Sequence, residues 1–307
     1  MKIKLITFLC LSMLFSCKDN DDNVSEQTNP PNVLGMDYTE SIASFEETYT
    51  ALRDALNVNE NISIVAEVDH SANADSVGEA LDPTRVIFFG NPNLGTPLMQ
   101  QKQLAGLDLP QKIIVYQNGD NEVFVGFNNT EYLSNRHALD GVATLPTIQG
   151  ALENLSARSS QDSIVVATDS MVGLEEGILS KTTNDKPFDA VYASLKAAIE
   201  NNPNLRIIAE LDHQANAASI QQDLNPTRII IFGNPNLGTP LMQNSQTTAL
   251  DLPQKILVWE NAEGIVNVSY NNPAFLVRRH GITENEDILA TITTALDNLS
   301  NAATAQQ

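Results

Sequence analysis

LDPTRVIFFGNPNLGTPLMQQ, residues 81–101, returns 143 residues later as LNPTRIIIFGNPNLGTPLMQN, residues 224–244. Seventeen of the 21 positions are identical, and twelve of them, FGNPNLGTPLMQ, run unbroken. The register holds without a gap from Phe45/Phe188 to His137/His280, and all four histidines obey it: His70 pairs with His213, and His137 with His280. Self-similarity at one long offset means two copies of one domain. Copy 1 is expected over residues 33–157 and copy 2 over 176–302, each long enough for a core of its own. Residues 158–175 join them, with Ser163 to Ala167 either an extra strand or a packed linker, and 303–307 form a short tail.

Outward from the repeated block, the pattern predicts the elements. Phe45, Tyr49, Leu52 and Leu56 fall at i, i+4, i+7 and i+11, the core face of an amphipathic helix, and Phe188, Tyr192, Leu195 and Ile199 repeat the stripe. A strand precedes this helix and another follows. In the latter, Ile62, Ile64, Ala66, Val68 and His70 share one face, and Ser63, Val65, Glu67 and Asp69 the other. Arg85 to Gly90 is apolar on both faces and reads as a central strand. Asn91-Pro92-Asn93-Leu94-Gly95 is turn material; Thr96-Pro97 then reads as N-cap and first residue of a helix reaching Leu107. Lys112 to Gln117 and Glu122 to Asn128 form a hairpin around Asn118-Gly119. A short helix carries Arg136-His137, and a last one runs from Thr144 to Leu155. The fold class is α+β: two tandem copies of a compact domain, each a mainly antiparallel sheet flanked by helices. Equal copy lengths predict pseudo-twofold packing, an internal pseudo-dimer within a monomer.

The N-terminus reads as a lipoprotein signal, residues 1–16. Lys2 and Lys4 precede an apolar stretch, Leu5 to Phe15, too short for a retained transmembrane helix. Small Ser16 precedes Cys17, whose thiol is the expected lipid attachment point and membrane anchor. Residues 17–32 are polar, acidic and end in proline, a flexible tether. Lys18-Asp19-Asn20-Asp21-Asp22 resembles the acidic export signal of surface lipoproteins in Bacteroidetes-type bacteria, so the outer membrane or cell surface is expected, with the periplasmic face as the alternative. The remaining cysteine, Cys10, lies inside the signal, which leaves the mature domains without a disulfide, a thiolate nucleophile or a cysteine-ligated metal. The formal charge is −21, which argues against nucleic acid and anionic headgroups as partners.

Several blocks resemble the DUF302 family, a bacterial and archaeal domain family named for its unknown function. In copy 1 they are Val68-Asp69-His70-x-x-Asn73-Ala74, Phe89-Gly90-Asn91-Pro92-x-x-Gly95-Thr96-Pro97-Leu98-Met99, Asp108-Leu109-Pro110-x-Lys112, Asn128-Asn129 and Arg136-His137. Copy 2 shows Leu211-Asp212-His213-x-x-Asn216-Ala217, the same block from Phe232 to Met242, Asp251-Leu252-Pro253-x-Lys255, Asn271-Asn272-Pro273 and Arg279-His280. Thr130 stands where copy 2 has Pro273 and the family usually has proline. The resemblance implies a compact α+β fold and no established activity.

The candidate binding residues are Asp69, His70, Asn73, Arg136 and His137, with Asp212, His213, Asn216, Arg279 and His280 in copy 2. Imidazole is a metal ligand and a base near neutral pH, and a guanidinium recognises carboxylate or phosphate bidentately. Each has a bland reading: His70 as a hydrogen-bonded core histidine, Arg136 paired with Asp69 or Asp108, and Lys112 and Lys255 paired with Asp108 and Asp251. Neighbours on a strand point to opposite faces, so Asp69 and His70 converge only if the strand ends at Asp69. Glu67 and Asp69, roughly 6–7 Å apart by strand rise, are either paired carboxylates or a solvated face. Gly90 to Met99 is either an anion cradle at a helix start or a tight turn capped by Thr96. There is no Ser-His-Asp order, HExxH or dinucleotide fingerprint. No metal or cofactor is expected. The expected function is binding of a small molecule or a protein at one polar site per copy. The alternatives are acid–base or metal-assisted catalysis at His70/His137 and His213/His280, and a structural partner-binding domain.

Overall fold

A computed structural model describes residues 30–305; the expected signal sequence, Cys17 and most of the tether lie outside them. Copy 1 runs β1 (Met36–Ser41), α1 (Phe45–Asn57), β2 (Ser63–Asp69), α2 (His70–Asp75), β3 (Thr84–Gly90), α3 (Pro92–Gln101), a 3-10 turn (Gln103–Leu107), β4 (Gln111–Gln117), β5 (Val123–Asn128), α4 (Thr130–His137) and α5 (Leu145–Ser160). Copy 2 repeats this as β6 (Ile178–Thr183), α6 (Phe188–Glu200), β7 (Arg206–Asp212), α7 (His213–Ser219), β8 (Thr227–Gly233), α8 (Pro235–Asn244), a 3-10 turn (Gln246–Leu250), β9 (Gln254–Glu260), β10 (Val266–Asn271), α9 (Pro273–His280) and α10 (Glu286–Thr304). Each copy forms one five-stranded antiparallel sheet, in the orders β1-β5-β4-β3-β2 and β6-β10-β9-β8-β7. The α+β class and the tandem antiparallel sheets are as the sequence predicts.

The doubly apolar character of the inner strands has a simple cause. On β3, Ile87 and Phe89 face the core under α1 and α5, together with Ile113, Val115 and Val125. The alternate residues Val86 and Phe88, with Ile114 and Phe124, form a second cluster that includes Ile231, Met242, Leu250 and Leu252 of copy 2. Leu104 and Leu107 of copy 1 likewise pack with Ile229 and Leu257 of copy 2. Each sheet therefore has helices of its own copy on one face and the other copy on the opposite face. Contacts across this seam are reciprocal. Gln103 Nε2 donates to Thr227 Oγ1 at 2.7 Å and to the carbonyl of Glu260 at 3.1 Å; Gln246 Nε2 donates to Thr84 Oγ1 at 2.7 Å and to the carbonyl of Gln117 at 2.9 Å. Residue i meeting j while its counterpart meets i's counterpart is the signature of pseudo-twofold packing.

Two local expectations are corrected. The pairing of β2 with β3 slips between Ile64 and Ala66, and β7 repeats the slip between Ile207 and Ala209. This β-bulge switches the faces of the following residues, so Ile64 packs under the helices while Val68 joins the seam, and the single face expected for Ile62 to His70 does not form. The helix expected to start at Thr96 starts at Pro92: Asn91 is its N-cap, accepting from the Asn93 N–H at 3.0 Å, and Thr96 and Pro97 lie inside it. Of the two expectations for Ser163 to Ala167 the linker holds: the stretch forms one bridge, Val165 pairing with Tyr38 of β1, which partly covers the free edge of that strand. Thr130 opens α4 over the same span that Pro273 opens α9, and its N–H, which proline lacks, donates to Gln149 Oε1 at 2.9 Å.

Leu107 is fully buried and packs with Ile229 and Leu257 of copy 2. Leu107→Ala should lower the unfolding free energy by about 2–5 kcal/mol in urea denaturation. A loss below about 0.5 kcal/mol, the scale of a surface substitution, would contradict the described seam.

Candidate functional site

Two polar constellations stand out, and the sequence candidates divide between them. The first is a charged cluster buried in the seam. Asp108 Oδ2 accepts from Arg136 Nη1 at 2.8 Å and lies 2.7 Å from His137 Nε2. In copy 2, Asp251 Oδ2 accepts from Arg279 Nη1 at 2.6 Å and lies 2.8 Å from His280 Nε2. Each arginine then reaches across: Arg136 Nη2 donates to Asn271 Oδ1 at 2.8 Å, and Arg279 Nη2 to Asn128 Oδ1 at 2.6 Å. The guanidiniums also sit over the other copy's rings, Arg136 over Phe275 at 4.8 Å and Arg279 over Tyr132 at 4.3 Å. The lysines cross as well. Lys112 Nζ donates to Asp251 Oδ1 at 3.1 Å, and Lys255 Nζ lies 4.0 Å from Asp108, so neither makes the expected bond to its own copy's aspartate.

Burial pushes the Asp108 and Asp251 carboxyls up, but the adjoining guanidinium, lysine and histidine outweigh it and hold both well below the usual carboxylate range. Burial, with Lys112 alongside, pushes the Lys255 ammonium well below its ordinary range. Burial also lowers His280. These side chains contact one another, with Asp108 Oδ1, His137 Nδ1 and Lys255 Nζ left without a hydrogen-bonding partner in the protein, and none of them lines the two pockets described next.

The second constellation is a pair of pockets, each built by both copies. One, of about 400 Å³, is walled by the Gly90 to Thr96 loop, Leu109 to Gln111 and α5 of copy 1, and closed by His213 and Asn216 of copy 2. The other, of about 630 Å³, is walled by the equivalent residues Gly233 to Thr239, Leu252 to Gln254 and α10 of copy 2, and closed by His70 and Asn73 of copy 1. The strand does end at Asp69. Its side chain caps α2, accepting from the Ala72 N–H at 2.8 Å, and also accepts from Arg85 Nε at 2.7 Å. Asp212 does the same with Ala215 and Arg228. The aspartates thus aim the histidines into the facing copy.

Among the described residues, the same three polar side chains in each pocket have a buried atom with no hydrogen-bonding partner in the protein. They are His213 Nε2, Thr96 Oγ1 and Gln111 Nε2 in one, and His70 Nε2, Thr239 Oγ1 and Gln254 Nε2 in the other. His70 and His213 are 4% and 3% exposed. Burial lowers both from 6.5 to about 4, against the weaker pull of Asp69 or Asp212 and of a facing carbonyl, Leu252 or Gly106. Both rings are neutral at pH 7.

His70 and Asn73 thus share a pocket, as do His213 and Asn216, but with the loop of the opposite copy instead of Arg136-His137 or Arg279-His280. Glu67 and Asp69 are both engaged, Glu67 by the Tyr49 hydroxyl at 2.7 Å. Among the described residues no three His, Cys, Asp or Glu side chains are grouped to hold a metal ion. Thr96 and Gln111 were missed as pocket residues. Gln111 carries no sequence signal beyond identity with Gln254, and Thr96, though inside the Gly90 to Met99 stretch considered as an anion cradle, reads there as a cap.

A family model described as "Domain of unknown function DUF302" matches residues 38–155 and again 179–299. Among curated relatives, "Fluoride-specific ion channel FluC 1" of Brucella suis biovar 1 (strain 1330) is 40% identical over 92 residues, 30% of this chain and 36% of that protein. "Fluoride-specific ion channel FluC 2" of Brucella melitensis biotype 1 is 40% identical over 92 residues, 30% of this chain and 34% of that one. The chain spans about a third of the length of these relatives. A solved structure, "uncharacterized conserved protein DUF302 from Bacillus stearothermophilus", is 14% identical with a TM-score of 0.38, covering 42% of this chain and 98% of that one. No helix among the described residues is long and apolar enough to cross a membrane.

A histidine that titrates near 4 when folded and 6.5 when unfolded adds stability that is complete above pH 6.5 and lost as the pH falls through 4. The urea midpoint should fall over that window, and His70→Gln with His213→Gln should flatten the fall, His280 retaining part of it. A double variant with the parent's slope would show that these rings do not titrate as described.

Proposed function

The chain belongs to the DUF302 family, in two copies, and on that premise we propose that it is a binding module whose two composite pockets each take up a small molecule. The observation that carries this reading is the repeated trio of histidine, threonine and glutamine, each with a buried atom unpartnered within the protein. Burying a polar group without a partner costs about 1–3 kcal/mol, and native proteins keep such groups rare. The same cost at the same three positions in both copies is accounted for if a ligand supplies the missing partners. Side chains on a helix start, a helix interior and a strand end are held rigidly enough to recognise one. The channel activity named for the Brucella relatives belongs to proteins that this chain matches over only about a third of their length, and it is no part of the proposal.

The module is held at the bacterial envelope by lipid on Cys17, at the outer membrane or cell surface, and acts as a monomer, since its pseudo-dimer is already complete within one chain. Lys2 and Lys4, the apolar Leu5 to Phe15 and the Ser16-Cys17 junction support the anchor. In fractionated cells Cys17→Ala should move the protein from membranes to the soluble fraction; unchanged sedimentation in detergent-free buffer would contradict the anchor.

Thr96→Val and Thr239→Val test the pockets. Valine matches the shape of threonine without its hydroxyl. If the hydroxyls serve a ligand, the double variant should gain about 1 kcal/mol or more in stability and lose small-molecule binding in a ligand-observed NMR fragment screen. Lost stability with unchanged binding would assign the hydroxyls to the fold alone.

A further inference from the structure

Resting on that reading, we infer that the pockets select an uncharged molecule with an apolar body, one hydroxyl or N–H that donates to the imidazole, and one oxygen that accepts from the glutamine amide. The lining carries the argument. No Asp, Glu, Lys or Arg side chain lines the smaller pocket, and its walls include Phe89, Leu94, Met99, Leu109, Ile148 and Leu152. A charged ligand there would lose hydration with no opposite charge to replace it, a cost far above that of a neutral group. The larger pocket adds Glu67 and Asp69, both already hydrogen-bonded, to Tyr49 and Arg85, and Arg206, which stays exposed to water where the smaller pocket has Ser63. The groups common to the two pockets are neutral.

The helix start in each pocket is no anion cradle. Pro92 has no N–H. The Asn93 N–H is taken by Asn91 Oδ1 at 3.0 Å, and the Leu94 and Gly95 N–H groups by the Asn91 carbonyl at 3.0 Å. Asn234 engages Asn236, Leu237 and Gly238 identically. The first-turn donors that would bind phosphate or carboxylate are therefore used, and a net charge of −21 repels anions further.

The unpartnered atoms define the complement. The glutamine amide is a donor and wants an oxygen. The threonine hydroxyl serves either role. A neutral imidazole carries one N–H and one lone pair; the facing carbonyl of Gly106 or Leu252 favours a proton on the nitrogen turned to it, leaving the other as an acceptor. Pocket volumes of about 400 and 630 Å³ suit a ligand of small-molecule size.

The chain has four histidines, and two of them, His137 and His280, sit in the seam and serve as internal controls. The full protein, labelled with 15N-histidine, is titrated at pH 7 with three ring compounds of similar size: 4-hydroxyacetophenone (uncharged, with a hydroxyl donor and a carbonyl acceptor), 4-hydroxybenzoate (an anion) and benzamidine (a cation). The expected result is that 4-hydroxyacetophenone moves the imidazole nitrogens of His70 and His213, leaves those of His137 and His280 in place, and binds at least tenfold more tightly than either ion. Gln111→Leu and Gln254→Leu should each weaken it at least threefold in their own pocket. If an ion moves His70 and His213 as strongly as the uncharged probe, the ligand class is wrong and the binding reading stands. If none of the three moves them, both fail.

Discussion

The structure turns on the two aspartates, Asp108 and Asp251, buried where the copies meet. Each is gripped by an arginine and a histidine of its own copy and faced by a lysine of the other. Removing such charges from water costs several kcal/mol per ion, and Coulomb attraction returns that only when the geometry is closed on every side. The apolar second face of each sheet supplies the driving force for association, since the hydrophobic term is proportional to area and indifferent to direction. The charges supply the direction. A sheet docked one residue out of place would leave Arg136 or Arg279 buried without its asparagine across the seam. The two halves differ in two places: Lys112 bonds its aspartate at 3.1 Å while Lys255 stands 4.0 Å away, since two buried ammonium groups side by side would repel, and His280 Nδ1 meets Thr247 Oγ1 at 3.1 Å where His137 Nδ1 has no partner in the protein.

The pockets are a consequence of that docking. Neither copy contains one by itself. The turn after β3 or β8 provides the wall, the helix that follows it the threonine and the start of β4 or β9 the glutamine, and the helix after β7 or β2 in the opposite copy provides histidine and asparagine. The bulge in β2 matters here: by switching faces between Ile64 and Ala66 it sends Val68 to the seam, and the Asp69 cap starts α2 with His70 pointing at the other copy. Rigid framework and site are thus the same contacts, and a change in the seam is a change in the pockets.

Much of this was legible in the sequence. The duplication, the antiparallel α+β sheets, the helix face at Phe45 to Leu56 and the core strand at Arg85 to Gly90 all follow from offset and periodicity, because those signals are local. What was not legible depends on the second copy. A strand apolar on both faces reads as central whatever covers it, so the seam is implicit and its partner is not. Lys112 lies four residues from Asp108, and only the docked structure shows that it bonds Asp251. The run Ile62 to Ala66 offers apolar residues in both phases, so nothing local marks the bulge. Asp69, His70, Arg136 and His137 were grouped because all four are polar and repeated. A duplication preserves seam and pocket alike, so repetition alone cannot separate Arg136 in the one from His70 in the other.

If the aspartate–arginine seam makes the two copies one cooperative unit, damage to it in copy 1 must be felt in copy 2. Native-state amide hydrogen exchange on Arg136→Met measures this directly. Breaking one partner of a buried ion pair costs about 3–5 kcal/mol. The strands β8 and β9 of copy 2, far in sequence from the substitution, should lose protection by the same amount as β3 and β4 of copy 1. Loss confined to copy 1, with β8 and β9 exchanging as in the parent protein, would contradict the account.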